Sequence, residues 1–373
     1  MPHDFKVQTP DTSNPVAERR VYIHGIGTAV PQHALTQDEA VARMRITCCD
    51  PRTHRVIRRI ARQSTVAKRH LAALERPDGA DRTPLYGPAS EQPLGPGMGA
   101  RNALFEVAAG DLICRAAHSL PLEDIKEVGT LVTASCTHAS SPGLERPLFE
   151  QTGLSPAIQR WNLGFMGCSA GLAALRLVHA LVPAEQRALV CTCEVSSLHF
   201  QYSDAIDQIT ANLLFADGAS LVILGSQCSA VAVLDCRCAH LPAAADQMVW
   251  FADDHGLRLE LSRELPRTLA EHLPAAVDEV LARNGSARQA VDHWLVHPGG
   301  PQILDAVESA LKLGPDALVD SRGVLQDYGN MSSSTIFFIL QRLIEKREAG
   351  LCVALAFGPG LTIELAVLHI NRG

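Results

Sequence analysis

From Gly129 onward, short apolar runs alternate with stretches of helical periodicity, and this alternation limits the possible folds more than any other feature of the chain. Gly129-Thr-Leu-Val-Thr-Ala-Ser135 is apolar throughout, in the manner of a strand covered on both faces. Further strands are expected at 187–193, 219–224, 230–236 and 293–296, with closing strands over 352–357 and 362–369. Helical patterns fall at 100–117, 206–214, 266–283, 301–312 and 332–346. Strands alternating with helices of 10–15 residues predict a layered α/β protein with sandwiched sheets. The theme restarts after a boundary near residue 235, although no repeat is visible in the residues themselves. Upstream, a β-run at Val21-Tyr-Ile-His-Gly-Ile-Gly27 and a turn at Val30-Pro-Gln-His33 precede a helical pattern through Arg43. The tail, residues 1–18, reads as disordered, and the Pro- and Gly-dense stretch from Arg76 to Met98 as a surface excursion.

Within this frame, one thiol is set apart from the others. Trp161-Asn-Leu-Gly-Phe-Met-Gly-Cys-Ser-Ala-Gly171 places Cys168 between glycines and ahead of the apolar run 172–181, as a cysteine at a helix N-terminus. Free N–H groups and the positive end of the helix dipole both favour a thiolate there. Far downstream, His297 follows a strand and enters Pro-Gly-Gly-Pro301, and Asn330 lies between Gly329 and Met331. Taken singly, the three have ordinary readings: a small buried hydrophobe, a loop histidine, and a turn or N-cap asparagine. Together they supply a nucleophile, a proton handler and an amide donor, the set that acyl transfer requires.

Bulk properties exclude several classes. A net charge of −7 gives no basis for general nucleic-acid binding. The eleven cysteines include no C-x-x-C pair, and Cys48-Cys49, Cys191-x-Cys193 and Cys236-x-Cys238 lack partners for a zinc ribbon. No apolar stretch reaches the length of a membrane span, and residues 1–20 carry no signal-peptide core. The expectation is a cytoplasmic enzyme with reduced cysteines.

Four strings in order, Phe165-Met-Gly-Cys168-Ser-Ala-Gly171, Trp294-Leu-Val-His297-Pro-Gly-Gly-Pro301, Asp327-Tyr-Gly-Asn330-Met-Ser-Ser333 and Phe357-Gly-Pro-Gly-Leu361, resemble the signatures of type III polyketide synthases, the chalcone-synthase superfamily. Leu213-Leu-Phe-Ala-Asp-Gly218 and Ser64-x-x-x-Lys-Arg-His70 also resemble family segments, so the likeness runs from Val21 to His369. It implies a thiolase fold: two similar halves in a five-layered α-β-α-β-α arrangement, usually a homodimer. The half over residues 19–235 would carry Cys168, and the half over 236–373 would carry His297 and Asn330. It also implies that Cys168 holds the acyl group of an acyl-CoA starter. His297 and Asn330 would then stabilise the enolate formed as malonyl-CoA loses CO₂. No metal or other cofactor enters this scheme, since CoA thioesters suffice.

By the same resemblance, Phe215 is an aromatic beside the cysteine, Ser332 lies in the asparagine motif, and Arg59 is a CoA-contacting base. Of the neighbouring basic run, Arg55, Arg58, Arg62, Lys68 and Arg69, no other residue aligns cleanly, and two family bases fall on Val56 and Gln63. Pocket positions differ from the plant chalcone-forming pattern: Leu259 replaces the second gatekeeping aromatic, Cys136, Ser196 and His199 replace small threonines, and Trp250 replaces a glycine. Ser141 replaces a methionine that reaches into the partner subunit. Leu259, Ser141 and Ser196 should widen the cavity, whereas Trp250 and His199 should fill it. The pattern disfavours flavonoid synthesis and points to pyrones, resorcinols or related products, with fatty acyl starters. Three alternatives were weighed. A papain-like peptidase also has a histidine about 130 residues past its cysteine, but the Cys-Gly-Ser-Cys-Trp signature is missing. The others are an initiating β-ketoacyl synthase with a single condensation and a thiolase-fold acyl-binding protein without turnover.

Overall fold

The structure is a computed structural model that describes residues 21–47, 51–74, 85–183 and 186–372; the tail expected over 1–18 lies outside them. Its strands are β1 (Val21–Ala29), β2 (Ala34–Thr36), β3 (Lys68–His70), β4 (Val128–Ser135), β5 (Gln159–Gly164), β6 (Arg187–Val195), β7 (Asp217–Gly225), β8 (Val231–His240), β9 (Met248–Asp253), β10 (Gly256–Leu261), β11 (His293–Val296), β12 (Gly350–Gly358) and β13 (Thr362–Ile370). Nine of them form one sheet in the order β11-β12-β13-β8-β1-β7-β6-β4-β5.

The repeat hidden in the sequence is plain in this order. On one side β4 pairs parallel with β6, β6 antiparallel with β7, and β7 antiparallel with β1. On the other, β11 pairs parallel with β12, β12 antiparallel with β13, and β13 antiparallel with β8. The two runs meet only where Val21–Ile23 of β1 face Val231–Val233 of β8.

Period-two alternation in these strands builds the layers. In β4, β6 and β7, Leu131, Leu189 and Leu221 pack outward with the helix Met98–His118. Their neighbours Val132, Val190 and Val222 turn inward onto the helices Ala170–Leu181 and Thr335–Glu345. In β12 and β13, Ala354 and Ala366 face the same two helices, while Leu355 and Leu365 face the outer helices Leu265–Arg283 and Pro301–Leu311. The result is the α-β-α-β-α stack that the resemblance implies, with two buried helices at its centre.

Most sequence expectations land within a few residues. The helix Ile206–Leu214 and the strand His293–Val296 match to the residue. The segment expected as one helix from 332 divides into a 3₁₀ turn, Ser332–Ser334, and the helix Thr335–Glu345. Of the excursion, residues 76–84 lie outside the described residues, and Tyr86 and Gly87 line an internal cavity rather than the surface alone.

The outer helix Met98–His118 sits so close on β1 that a Cβ added at Gly27 would lie 2.1 Å from the Ala116 carbonyl oxygen. Gly27→Ala should therefore cost about 1–3 kcal/mol through backbone displacement, read as a lowered thermal midpoint. An unchanged midpoint would show that the helix can move aside freely.

Candidate active site

Strand β5 delivers the chain into a tight reversal, with Phe165 and Gly167 both at positive φ (57° and 62°). A 3₁₀ turn, Gly167–Ser169, carries half-buried Cys168 and runs directly into the helix from Ala170. Cys168 thus sits on a turn just before the helix rather than on its first residue. Gly167 must be glycine: its φ is left-handed, and a Cβ would fall 2.5 Å from Cδ of Pro359. The Gly-Pro-Gly-Leu loop, at the end of β12, therefore presses on the nucleophile's turn. On the other side, a Cβ at Gly171 would lie 2.3 Å from the Ser333 carbonyl oxygen, so the asparagine loop is equally close.

Asn330 is clamped by its backbone. Its N–H donates to the Leu214 carbonyl (2.9 Å), and its own carbonyl accepts from Ala216 N–H (2.8 Å), making a bridge to Phe215. The side-chain oxygen accepts the Ser332 N–H at 2.8 Å. Both ends of the amide lie against the thiol: Nδ2 is 3.8 Å from Cys168 Sγ, and Oδ1, which also takes the Ser332 N–H, accepts from the thiol at 3.9 Å. The loop holds the amide edge-on to the sulfur.

His297 ends β11, where its N–H donates to the Leu355 carbonyl at 2.8 Å. It is fully buried, and neither ring nitrogen has a hydrogen-bond partner. Leaving buried polar atoms unpaired costs on the order of 1–3 kcal/mol, and such exceptions call for an explanation. Burial pushes the imidazole down to about 3, so it is neutral. Burial likewise pushes the Cys168 thiol up to about 12, against hydrogen bonds from Ser332 and Asn330 that pull it down. The sequence predicts a thiolate here, whereas burial holds the Cys168 thiol protonated and the His297 imidazole neutral. Desolvation of a single charge outweighs the pull of one short helical turn.

Behind the nucleophile lies a carboxylate that the sequence reading missed. Fully buried Glu194, on β6, accepts from Cys136 N–H (3.0 Å), Thr137 Oγ1 (2.9 Å) and Ser333 Oγ. Burial raises its pKa while these donors hold it down. A lone glutamate in the apolar run Ala188-Leu-Val-Cys-Thr-Cys-Glu194-Val was the available signal, because unpaired acids are rarely buried. Arg69, which the sequence groups with the basic run as a candidate for CoA phosphates, is instead buried. It is 3% exposed, and its Nη1 donates to the carbonyls of Asn212 (2.7 Å) and Phe215 (2.8 Å), buttressing the segment that clamps Asn330.

A cavity of about 1040 Å³, including its open mouth, is lined by five of the expected pocket residues: Phe215, Leu259, Ser196, His199 and Trp250. Trp250 and Leu259 are direct cross-strand partners in the β9–β10 hairpin, so the large and the small replacement face the cavity side by side. The Trp250 indole meets the Phe215 ring edge-on, with centroids 5.7 Å apart. His199 serves the wall itself: Nδ1 accepts from Leu257 N–H (3.2 Å) and Nε2 donates to the Thr137 carbonyl (3.2 Å).

Two expected pocket residues lie elsewhere. Cys136 is beneath the nucleophile's turn, its Sγ accepting Gly167 N–H at 2.9 Å. Ser332, held at a positive φ of 49°, lies against Cys168. Ser141 is exposed. Arg59 is exposed with Arg55, Arg58 and Arg62 around a shallow outer recess on the helix Pro51–Gln63.

Comparison with known proteins places the chain in a family and a fold. The model of the chalcone and stilbene synthase N-terminal domain matches residues 11–228, and that of the C-terminal domain matches residues 236–371. The alpha-pyrone synthesis polyketide synthase-like Pks18 of Mycobacterium tuberculosis is 29% identical over 366 residues, covering 94% of this chain and 91% of its own length. Type III polyketide synthase C of Arabidopsis thaliana is 34% identical over 282 residues, 69% of this chain and 73% of its own. Among solved structures, PKS-I from the brown alga Ectocarpus siliculosus superposes with a TM-score of 0.85 at 27% identity, covering 94% of this chain and 98% of that one. The C-terminal type III polyketide synthase domain of Steely1 from Dictyostelium gives a TM-score of 0.85 at 26% identity, covering 95% and 100%. No helix among the described residues is long and apolar enough to cross a membrane.

Proposed function

The chain belongs to the chalcone and stilbene synthase family and is a condensing acyltransferase of the type III polyketide synthase class; from that premise we propose that Cys168, His297 and Asn330 load an acyl-CoA starter and extend it with malonyl-CoA. The observation that carries the assignment is the Asn330 amide, locked by Ser332 N–H with its nitrogen 3.8 Å from Cys168 Sγ. In the loading step, Sγ bonds to the acyl carbon as its proton passes through His297 to the departing CoA sulfur. A lone imidazolium and a lone thiolate are each disfavoured by burial, so in this reading proton transfer accompanies attack. In the extension step, the bond from the malonyl α-carbon to its carboxylate breaks, CO₂ leaves, and the electron pair moves onto the thioester oxygen. The neutral His297 and the Asn330 amide donate to that oxygen; removal of one such donor costs about 3 kcal/mol, roughly a hundredfold in rate. The α-carbon then bonds to the acyl carbon on Cys168, which leaves the extended chain on CoA, and Sγ departs as a thiolate that takes up one proton from solvent before the next loading.

The substrates are a fatty acyl-CoA and malonyl-CoA, and the products are small cyclised polyketides such as pyrones or resorcinols. The apolar cavity residues Leu35, Leu71, Leu257 and Leu259 support an aliphatic starter. Arg59 and its neighbours on the outer recess are the guanidiniums available to CoA phosphates. The working unit is a homodimer. Strand β5 is a sheet edge that leaves Trp161 47% and Phe165 56% exposed, a surface that a second copy would cover.

Three measurements test these statements. Incubation with malonyl-CoA and a panel of acyl-CoA starters, followed by mass spectrometry, should give condensation products that Cys168→Ala abolishes; full condensation by the variant would remove Cys168 from its role. In His297→Gln, alkylation of Cys168 by iodoacetamide at neutral pH should slow by about tenfold or more, because the sulfur then loses the imidazole that takes its proton during attack while Ser332 and Asn330 still bond to it. An unchanged rate would show that His297 takes no proton from the sulfur. Sedimentation should report a dimer that Trp161→Arg weakens, and a wild-type monomer would refute the pairing.

A further inference from the structure

The described part of the excursion, residues 85–97, contributes to one wall of the cavity. Tyr86 and Gly87 line that side together with Leu74 and Phe200. The Tyr86 ring tilts against Phe200 with centroids 5.5 Å apart and against Tyr202 at 6.1 Å. Its hydroxyl donates to the Ser197 carbonyl at 2.6 Å, and Tyr202 Oη donates to the Gly87 carbonyl at 2.5 Å.

The anchor for this arrangement is Arg101, on the helix Met98–His118, the bulkiest of the fully buried side chains. Its Nε donates to the Pro96 carbonyl (2.9 Å), and Nη1 donates to Tyr86 Oη (3.1 Å), to the Phe200 carbonyl (3.2 Å) and to the Leu198 carbonyl. The guanidinium carbon also sits 5.6 Å from the Tyr86 ring centroid. The turn of the β9–β10 hairpin joins the same hub. Met98 N–H donates to the Asp254 carbonyl at 2.9 Å, and a Cβ at Gly256 would meet Arg101 at 3.2 Å. One buried cation therefore ties the excursion to the segment 198–200 and to the hairpin that carries Trp250 and Leu259. A ring held by a hydroxyl bond, a cation and two aromatic neighbours cannot swing aside for a longer ligand as a free surface tyrosine would.

We propose that Tyr86, fixed by Arg101, is a specificity-determining residue whose ring limits the length of the aliphatic acyl chain that the cavity accepts. The proposal rests on the acyl-transfer reading above for the ligand class, but not on turnover. Removing the phenol opens space for further methylenes, and each one buried gains about fourfold in affinity. A tryptophan at the same place takes space away.

The test is equilibrium binding to the full chain carrying Cys168→Ala, which cannot be acylated at that sulfur, with dodecanoyl-CoA and palmitoyl-CoA as probes. Introducing Tyr86→Ala should raise the affinity ratio of palmitoyl-CoA over dodecanoyl-CoA by about tenfold or more. Tyr86→Trp should move the ratio the other way, so a folding defect in one variant leaves the other to decide. Ratios within twofold of the parent in the folded variants would overturn the proposal, even where intact enzyme condenses malonyl-CoA normally. Failure of condensation with ratios that move as expected would instead sink the reaction assignment and leave the wall in place.

Discussion

Close packing against the backbone of one turn governs the geometry of this site. The peptide carrying Cys168 is pressed from one side by Pro359 and from the other by the Ser333 carbonyl, at distances that leave no room for a Cβ on Gly167 or Gly171. Those two neighbours come from the second half of the sheet order, and the cysteine turn comes from the first. The site is therefore formed only when the central helices Ala170–Leu181 and Thr335–Glu345 pack together between the two runs of strands. A side chain placed by such contacts has little freedom, which is the preorganisation that enolate stabilisation demands. The amide of Asn330 points to sulfur because its backbone has already been fixed to Leu214 and Ala216.

The electrostatics follow from the same enclosure. Packing that excludes water removes the hydration that a lone thiolate or imidazolium needs, and the Cys168 thiol rises as the His297 imidazole falls. Each of the two therefore rests uncharged. Glu194 shows the complementary solution: a buried acid supplied with donors from Cys136, Thr137 and Ser333. Two of those donors belong to the loops that flank the nucleophile, so the carboxylate braces the site without touching the sulfur.

Much of this could be read from the residues. Alternating apolar runs revealed the strands because each face of β4, β6 and β7 packs against a different helical layer. Gly-rich strings marked the places where chains cross closely. What stayed hidden depended on distance in sequence. The internal repeat survives in strand order and not in residue identity. The position of Cys136 under Gly167 joins positions 31 apart, and the excursion became a cavity wall only through Arg101, which in the sequence is one more charged residue on a helix. Glu194 was the exception, a local clue passed over. The expected thiolate fared differently: a dipole argument uses only nearby residues, whereas desolvation depends on everything packed around the thiol.

The two runs of the sheet touch over three residue pairs, from Val21 to Ile23 against Val231 to Val233. The cavity named above takes its walls from positions up to Phe215 and from the β9–β10 hairpin, whereas His297 and Asn330 stand outside that lining. Cys168 lies in sequence among the wall positions, between Thr137 and Ser196, and Phe215 of the wall is bridged to Asn330. Substitutions in the β9–β10 hairpin can therefore reshape the space offered to a ligand without altering any of those three residues, whereas substitutions near Phe215 reach wall and site at once.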